Sequence, residues 1–159
     1  MIYYNKDGYK VRKSTKQDIA YLAKNMRKSD IEEIWAADRK TPEAALREGL
    51  EQSIFACTVE NGSPIAMFGI CPYSITGNKA SVWMLATDDI DKLKRRFARR
   101  SREFVKMMLE FYPYLENMVD DRNKRSIEWL KFCGAKIDEP VPYGAEKLPF
   151  RHFSFTRSK

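Results

Sequence analysis

Residues 115–135 read LENMVDDRNKRSIEWLKFCGA, and the fold turns on how that stretch divides. Leu115, Asn117 and Val119 alternate with Glu116, Met118 and Asp120, the two-residue period of a strand. Asp121, Arg122 and Asn123 break the alternation with a polar turn. A helix follows, with Ile127 and Leu130 on its inner face and Trp129 and the stem of Lys131 at the border. Gly134 ends it, as glycine does just past a helix C-terminus.

Working outward, the spacing predicts a strand over Tyr9–Lys13. A helix then opens at Thr15 and Asp18, a T-x-x-D start. Ile19, Leu22, Ala23, Met26, Ile31, Ile34 and Trp35 recur at helical spacing, with Ser29 and Asp30 as a break. Thr41-Pro42 starts another helix whose inner face is Ala45, Leu46 and Leu50. Strands over 54–60 and 64–70 flank Asn61-Gly62, a hairpin turn in which both residues tolerate positive φ. Residues 80–86 form a strand that is apolar on both faces and therefore central. A long helix begins within 87–91 and ends near Tyr112-Pro113, with Ile90, Leu93, Phe97, Phe104, Val105, Met108 and Phe111 along one face. A last strand spans 150–156. The order is β-α-α-β-β-β-α-β-α-β: an α/β (α+β) domain with a mixed central sheet of six to seven strands flanked by helices.

Length and composition fit that plan. The 159 residues make one domain, 43 % apolar, enough to bury roughly 70 % of the extended surface. No apolar run reaches the ~18 residues of a membrane helix, and MIYYNKDGYK is no secretory leader. Cys57, Cys71 and Cys133 are widely spaced, with one histidine to join them, so no zinc site is expected and reduced thiols in a cytosol are. A net charge of +7 favours acidic partners.

The order of residues in 115–135 resembles motif B of the GCN5-related N-acetyltransferase (GNAT) superfamily: Asn123, then Ser126 three positions on, then Gly134 eleven positions on. The element order extends the resemblance over nearly the whole chain. IWAAD at 34–38, TPEAAL at 41–46, AMFGI at 66–70, LATD at 85–88 and LPFRHF at 148–153 further resemble the phage gene-thirteen (internal virion protein A-type) family. The resemblance implies a phage-encoded GNAT-like domain in the host cytoplasm or associated with the virion. It also implies acetyl-CoA as the cofactor, with Leu85, Ala86 and Thr87 holding the pantetheine and Asn123 and Ser126 nearby.

The departures from that pattern are chemical. Superfamily enzymes cradle the coenzyme pyrophosphate on glycine-rich backbone at the start of the long helix, yet no glycine lies between Gly77 and Gly134. Asp88, Asp89 and Asp91 are expected in the first helical turn, where carboxylates bind the free N–H groups and repel an anion. Lys94, Arg95 and Arg96, within a run of seven cations from Lys92 to Arg102, are the candidate substitutes for the missing amides. The family's tyrosine acid, seven positions after the asparagine, is Leu130 here. His152 is the candidate base, with Glu116 and Asp120 as rivals; Tyr143 is a possible acid.

Two functions are consistent with these residues. One is an acetyl-CoA-dependent N-acetyltransferase acting on an amine of a host or phage macromolecule. The other is a catalytically silent GNAT-fold binding module in virion assembly or host-protein interaction. Nucleic-acid binding through 92–102 is less favoured, because the nearby aromatics fall on the core side.

Overall fold

The computed structural model describes residues 2–74 and 76–158; the Lys94 side chain lies outside the described residues. Its elements run β1 (Ile2–Lys6), β2 (Tyr9–Lys13), α1 (Gln17–Lys24), α2 (Lys28–Asp38), α3 (Pro42–Gln52), β3 (Phe55–Asn61), β4 (Ser63–Pro72) and β5 (Lys79–Ala86). A 3₁₀ turn over Asp88–Lys92 precedes α4 (Lys94–Phe111), followed by β6 (Tyr114–Asp120), α5 (Lys124–Phe132), β7 (Lys136–Ile137), β8 (Val141–Tyr143) and β9 (Leu148–Thr156).

The sheet is mixed, in the order β1-β2-β3-β4-β5-β6-β9-β7, with β8 also on β9. It carries more strands than the six or seven expected, because β1, β7 and β8 are short or exposed and give no apolar alternation. All pairs are antiparallel except β5 with β6. One face is covered by α1 and α3, whose Ile19, Leu22 and Leu46 bury Met67 and Leu85. The other is covered by α4 and α5. Phe97 and Leu93 close the core over β2–β4, and Val105, Met108, Ile127 and Leu130 close it over β6 and β9.

Most of the predicted punctuation holds, but the break expected at Ser29 and Asp30 falls at residues 25–27, and Ser29 and Asp30 both lie inside α2. Asp18 accepts the Thr15 N–H at 2.9 Å, the T-x-x-D start, and also binds Arg12 and Thr58. Thr41 caps α3 before Pro42. Asn123 caps α5, accepting the Ser126 N–H, and Gly134 takes φ +98°. At the β3–β4 turn only Gly62 has positive φ; Asn61 stays within its strand.

Three expectations need correction. The long helix starts at Lys94, because Thr87 caps a separate 3₁₀ turn by accepting the Asp89 N–H. Asp88, Asp89 and Asp91 sit in that turn, and α4's own first turn contains no acid. Phe111, placed on the inner face by periodicity, is 70 % exposed at the helix end. Ile31 and Trp35 are likewise exposed, so α2 offers the core a narrower face than its sequence implies.

Candidate functional site

Among the described residues β5 and β6 form the only parallel strand pair, and it breaks open. β5 and β6 are in register from Lys79–Tyr114 to Ser81–Glu116 and no further. Beyond that point Asn117 Nδ2 donates to the Val82 carbonyl at 2.9 Å, and the strands diverge. β6 stays paired with β9 along its whole length, so the split falls on the β5 side alone. A cavity of about 340 Å³ fills the gap, bordered by Glu33 of α2, Trp83 and Met84 of β5, Met118 of β6 and Trp129 of α5. Tyr143, packed on Phe150 at 5.1 Å, also lines it. The turn after β8 anchors that tyrosine: Ala145 and Glu146 N–H groups donate to the Ala37 and Ala36 carbonyls that end α2.

The Ala86 end of the β5 edge facing this gap is already engaged, while Met84, opposite Phe68, turns its backbone groups to the same side. Ala86 lies opposite Ala66, and its N–H and C=O both point away from β4. The Ala86 N–H donates to Asp30 Oδ2 at 2.8 Å, and its carbonyl accepts the Arg27 N–H at 2.9 Å. Arg27 Nε forms an ion pair with Asp30 Oδ2 at 2.9 Å. Its Nη2 crosses the gap to donate to Ser126 Oγ at 3.2 Å. Burial raises the Asp30 carboxyl above its usual range, while Arg27 and the Ala86 N–H pull it back. The Thr87 N–H and hydroxyl both donate to the Ile65 carbonyl. Leu85, opposite Met67, directs its backbone groups into the β4 ladder by the two-residue alternation.

At the phosphate end of the expected cofactor path, three amides of the turn are taken within the protein, whereas α4 itself starts with no side-chain cap and no acid in its first turn. In the turn before α4, the Asp89 N–H is taken by Thr87 Oγ1, that of Ile90 by the Thr87 carbonyl, and that of Leu93 by the Ile90 carbonyl. Asp91 is paired with Arg125 and Asp89 with Lys92. Arg96 reaches sideways to the Asp7 carbonyl at 3.3 Å; Arg95 is exposed. Ser126 lines the cavity at the end of Arg27's reach, whereas Asn123, the cap of α5, is not among its lining residues.

Glu33 is the titratable group that sequence reasoning missed. Its Oε1 accepts the Asp120 N–H at 2.9 Å across the mouth of the gap. Burial, with repulsion from Asp30 and Asp120, pushes its carboxyl up to about 7. The available signal was spacing: Glu33 follows Asp30 by three residues, so two acids share the helix face that carries Ile34 and Ala37. Tyr143 is also raised, by burial and then by Asp38, so its phenol stays protonated. Burial lifts the Cys57 and Cys133 thiols to about 12, leaving both unreactive.

His152 and Glu116 are brought together, Nε2 to Oε1 at 2.8 Å, with Asp138 on Nδ1 at 3.0 Å. Neither borders the cavity. Burial alone would lower the imidazole pKa; the hydrogen bonds to Glu116 and Asp138 outweigh it, and the net shift is upward. A raised histidine contributes stability below its unfolded pKa and loses it as pH rises through the folded value. The NMR titration of this single histidine is expected to have its midpoint above 6.5 and to move down in Glu116→Gln. A midpoint at or below 6.5 contradicts the assignment.

The family model described as "Bacteriophage T7, probable scaffold protein Gp13" matches residues 65–140, just under half of the chain. No curated protein matches by sequence. Among solved structures, ribosomal-protein-S5-alanine acetyltransferase from Vibrio fischeri is similar at 16 % identity, covering 98 % of this chain and 97 % of that one, with a TM-score of 0.69. Spermidine N-acetyltransferase from Vibrio cholerae, solved with CoA and spermine, has 14 % identity, coverage of 97 % and 98 %, and a TM-score of 0.68. Aminoglycoside acetyltransferase AAC(6')-Ib, solved with coenzyme A, has 17 % identity, coverage of 94 % and 95 %, and a TM-score of 0.67. These likenesses show the fold that the neighbours share; the second and third of them were solved with the coenzyme.

Proposed function

We propose that this chain, a divergent GNAT-fold protein with a match to the phage Gp13 family, serves as a binding module in particle assembly rather than as an acetyltransferase. One observation carries the reading: Arg27 and Asp30 occupy the Ala86 end of the β5 edge and bridge the gap to Ser126. Backbone groups of Leu85, Ala86 and Thr87 are the ones the resemblance assigns to the pantetheine, and each has a partner within the protein or points into the ladder. The turn before α4 supports the same reading in part, because its Asp89, Ile90 and Leu93 amides close on Thr87 and Ile90. The Ala86 end of the edge is thus closed to acetyl-CoA by the protein's own side chains. The description of the matched family as a scaffold protein agrees with this role, with a host or phage protein as partner.

Glu33 favours a second reading. A carboxyl near 7 at the mouth of a 340 Å³ cavity is suited to take the proton of an amine at neutral pH. Acyl transfer to an amine would then use Glu33 in place of His152.

Thiol release separates the two. Incubated with acetyl-CoA and spermidine, a lysine peptide or an alanine-terminated peptide, the protein is expected to release no coenzyme A thiol above the buffer rate. Release that depends on Glu33, and disappears in Glu33→Gln, overturns the binding-module reading.

A further inference from the structure

The outer face of α4 presents Arg95, Arg99, Arg102 and Lys106, all exposed. Their spacing of i, i+4, i+7 and i+11 places them in one line about 16 Å long. Other cations of the run have structural partners: Arg96 holds the Asp7 carbonyl, and Arg100 lies over the Tyr4 ring and pairs with Glu103. Among the described residues, none of the four aligned cations forms an ion pair, although carboxylates pair with cations elsewhere on the surface. Like charges four apart weaken a helix, so the line works against the fold that bears it. At one point along it, the Arg102 guanidinium sits 5.1 Å from the centre of the Phe132 ring, which is 43 % exposed on α5.

We infer that this line is a docking face for an acidic α-helical segment of a partner protein. The inference rests on the binding-module reading and gives that module its face. Carboxylates at the same helical spacing on a partner helix meet the four cations one to one, and an apolar side chain next to them covers Phe132. A nucleic-acid backbone is the poorer match. Its charge is continuous, whereas the exposed Glu103 and Glu110 interrupt the positive charge of the helix, so a partner whose carboxylates are spaced to the four cations fits better than an unbroken row of phosphates.

The test uses the full chain and a fluorescein-labelled helical peptide with glutamates at i, i+4, i+7 and i+11 and a leucine one turn on. Two competitors accompany it: a peptide of identical composition with the glutamates scrambled, and a 24-base-pair DNA duplex. Fluorescence anisotropy is expected to show the patterned peptide binding at least tenfold tighter than the scrambled one. The double variant Arg99→Glu/Arg102→Glu should weaken it at least tenfold, with circular dichroism unchanged. Arg95→Gln/Arg99→Gln, a milder change, should weaken it several-fold, and Lys24→Glu/Lys28→Glu on the opposite face should leave it unaltered. Equal affinity for the scrambled peptide overturns the inference. So does tighter binding of the duplex, or indifference to the α4 variants. Thiol release scores the parent reading separately: an active enzyme that still binds the peptide through α4 overturns that reading and leaves the docking face standing.

Discussion

Asp30→Ala is expected to lower the folding stability by about 3–5 kcal/mol, the cost of breaking a buried ion pair from one side. The side chain is 2 % exposed and serves two partners. Its removal leaves the Arg27 guanidinium uncompensated within the protein and the Ala86 N–H without an acceptor. For a chain of this size the melting temperature should fall on the order of 10 °C. Urea unfolding measures the loss directly. The paired replacement Arg27→Met/Asp30→Leu should lose much less, because both charges leave together. A loss below about 1 kcal/mol in Asp30→Ala would mean that the pair does not hold the β5 edge and leaves that edge open to the coenzyme.

Gly144→Ala is the second large effect. The residue has φ +77°, in the left-handed region that L side chains rarely adopt. A Cβ there would lie 2.7 Å from the Ala36 carbonyl oxygen and from Ala37 Cα, backbone atoms of α2 that cannot turn aside. The β8–β9 turn must therefore lift, giving up the bonds from Ala145 and Glu146 to the end of α2. Left-handed strain and the lost hydrogen bonds together cost about 2–3 kcal/mol. Tyr143, which that turn holds beside the cavity, becomes mobile, and hydrogen exchange at Ala145 and Glu146 should accelerate before the rest of the sheet opens. Unchanged exchange at those two amides would contradict the docking of the turn on α2.

Much of this frame was legible in local periods and end signals. Strand β6, the Asn123 cap, α5 and the Gly134 stop follow one another in residues 115–135 as their side-chain chemistry requires. What escaped has physical reasons. Strand β1 is held by backbone pairing to β2 and by Tyr4 against Tyr9, with no buried alternation to betray it. The break before α4 is hidden because Ile90, Leu93 and Phe97 are all buried, at spacings of three and four that suit a 3₁₀ turn and an α-helix alike. Phe111 continues the apolar period of α4 to the end of the helix, where it is exposed. The site itself is the least local part. Arg27 meets Ser126 across 99 positions, Asp30 meets Ala86 across 56, and Glu33 meets Asp120 across 87. No window of sequence contains both partners of any of these contacts. His152 stood out as the sole histidine, and its true partners are carboxylates on β6 and the loop after β7, away from the cavity.

Arg27 and Asp30 hold the Ala86 end of β5, which we propose is thereby closed to the coenzyme. Thermal unfolding with and without acetyl-CoA at about a hundredfold excess over a micromolar Kd tests that closure. A bound ligand at that excess stabilises the native state by ~2.7 kcal/mol, a rise of several degrees for this chain. No rise is expected. A rise of several degrees that is lost in Arg95→Ala would contradict the closure, and would place the coenzyme on the β5 edge and the start of α4 after all.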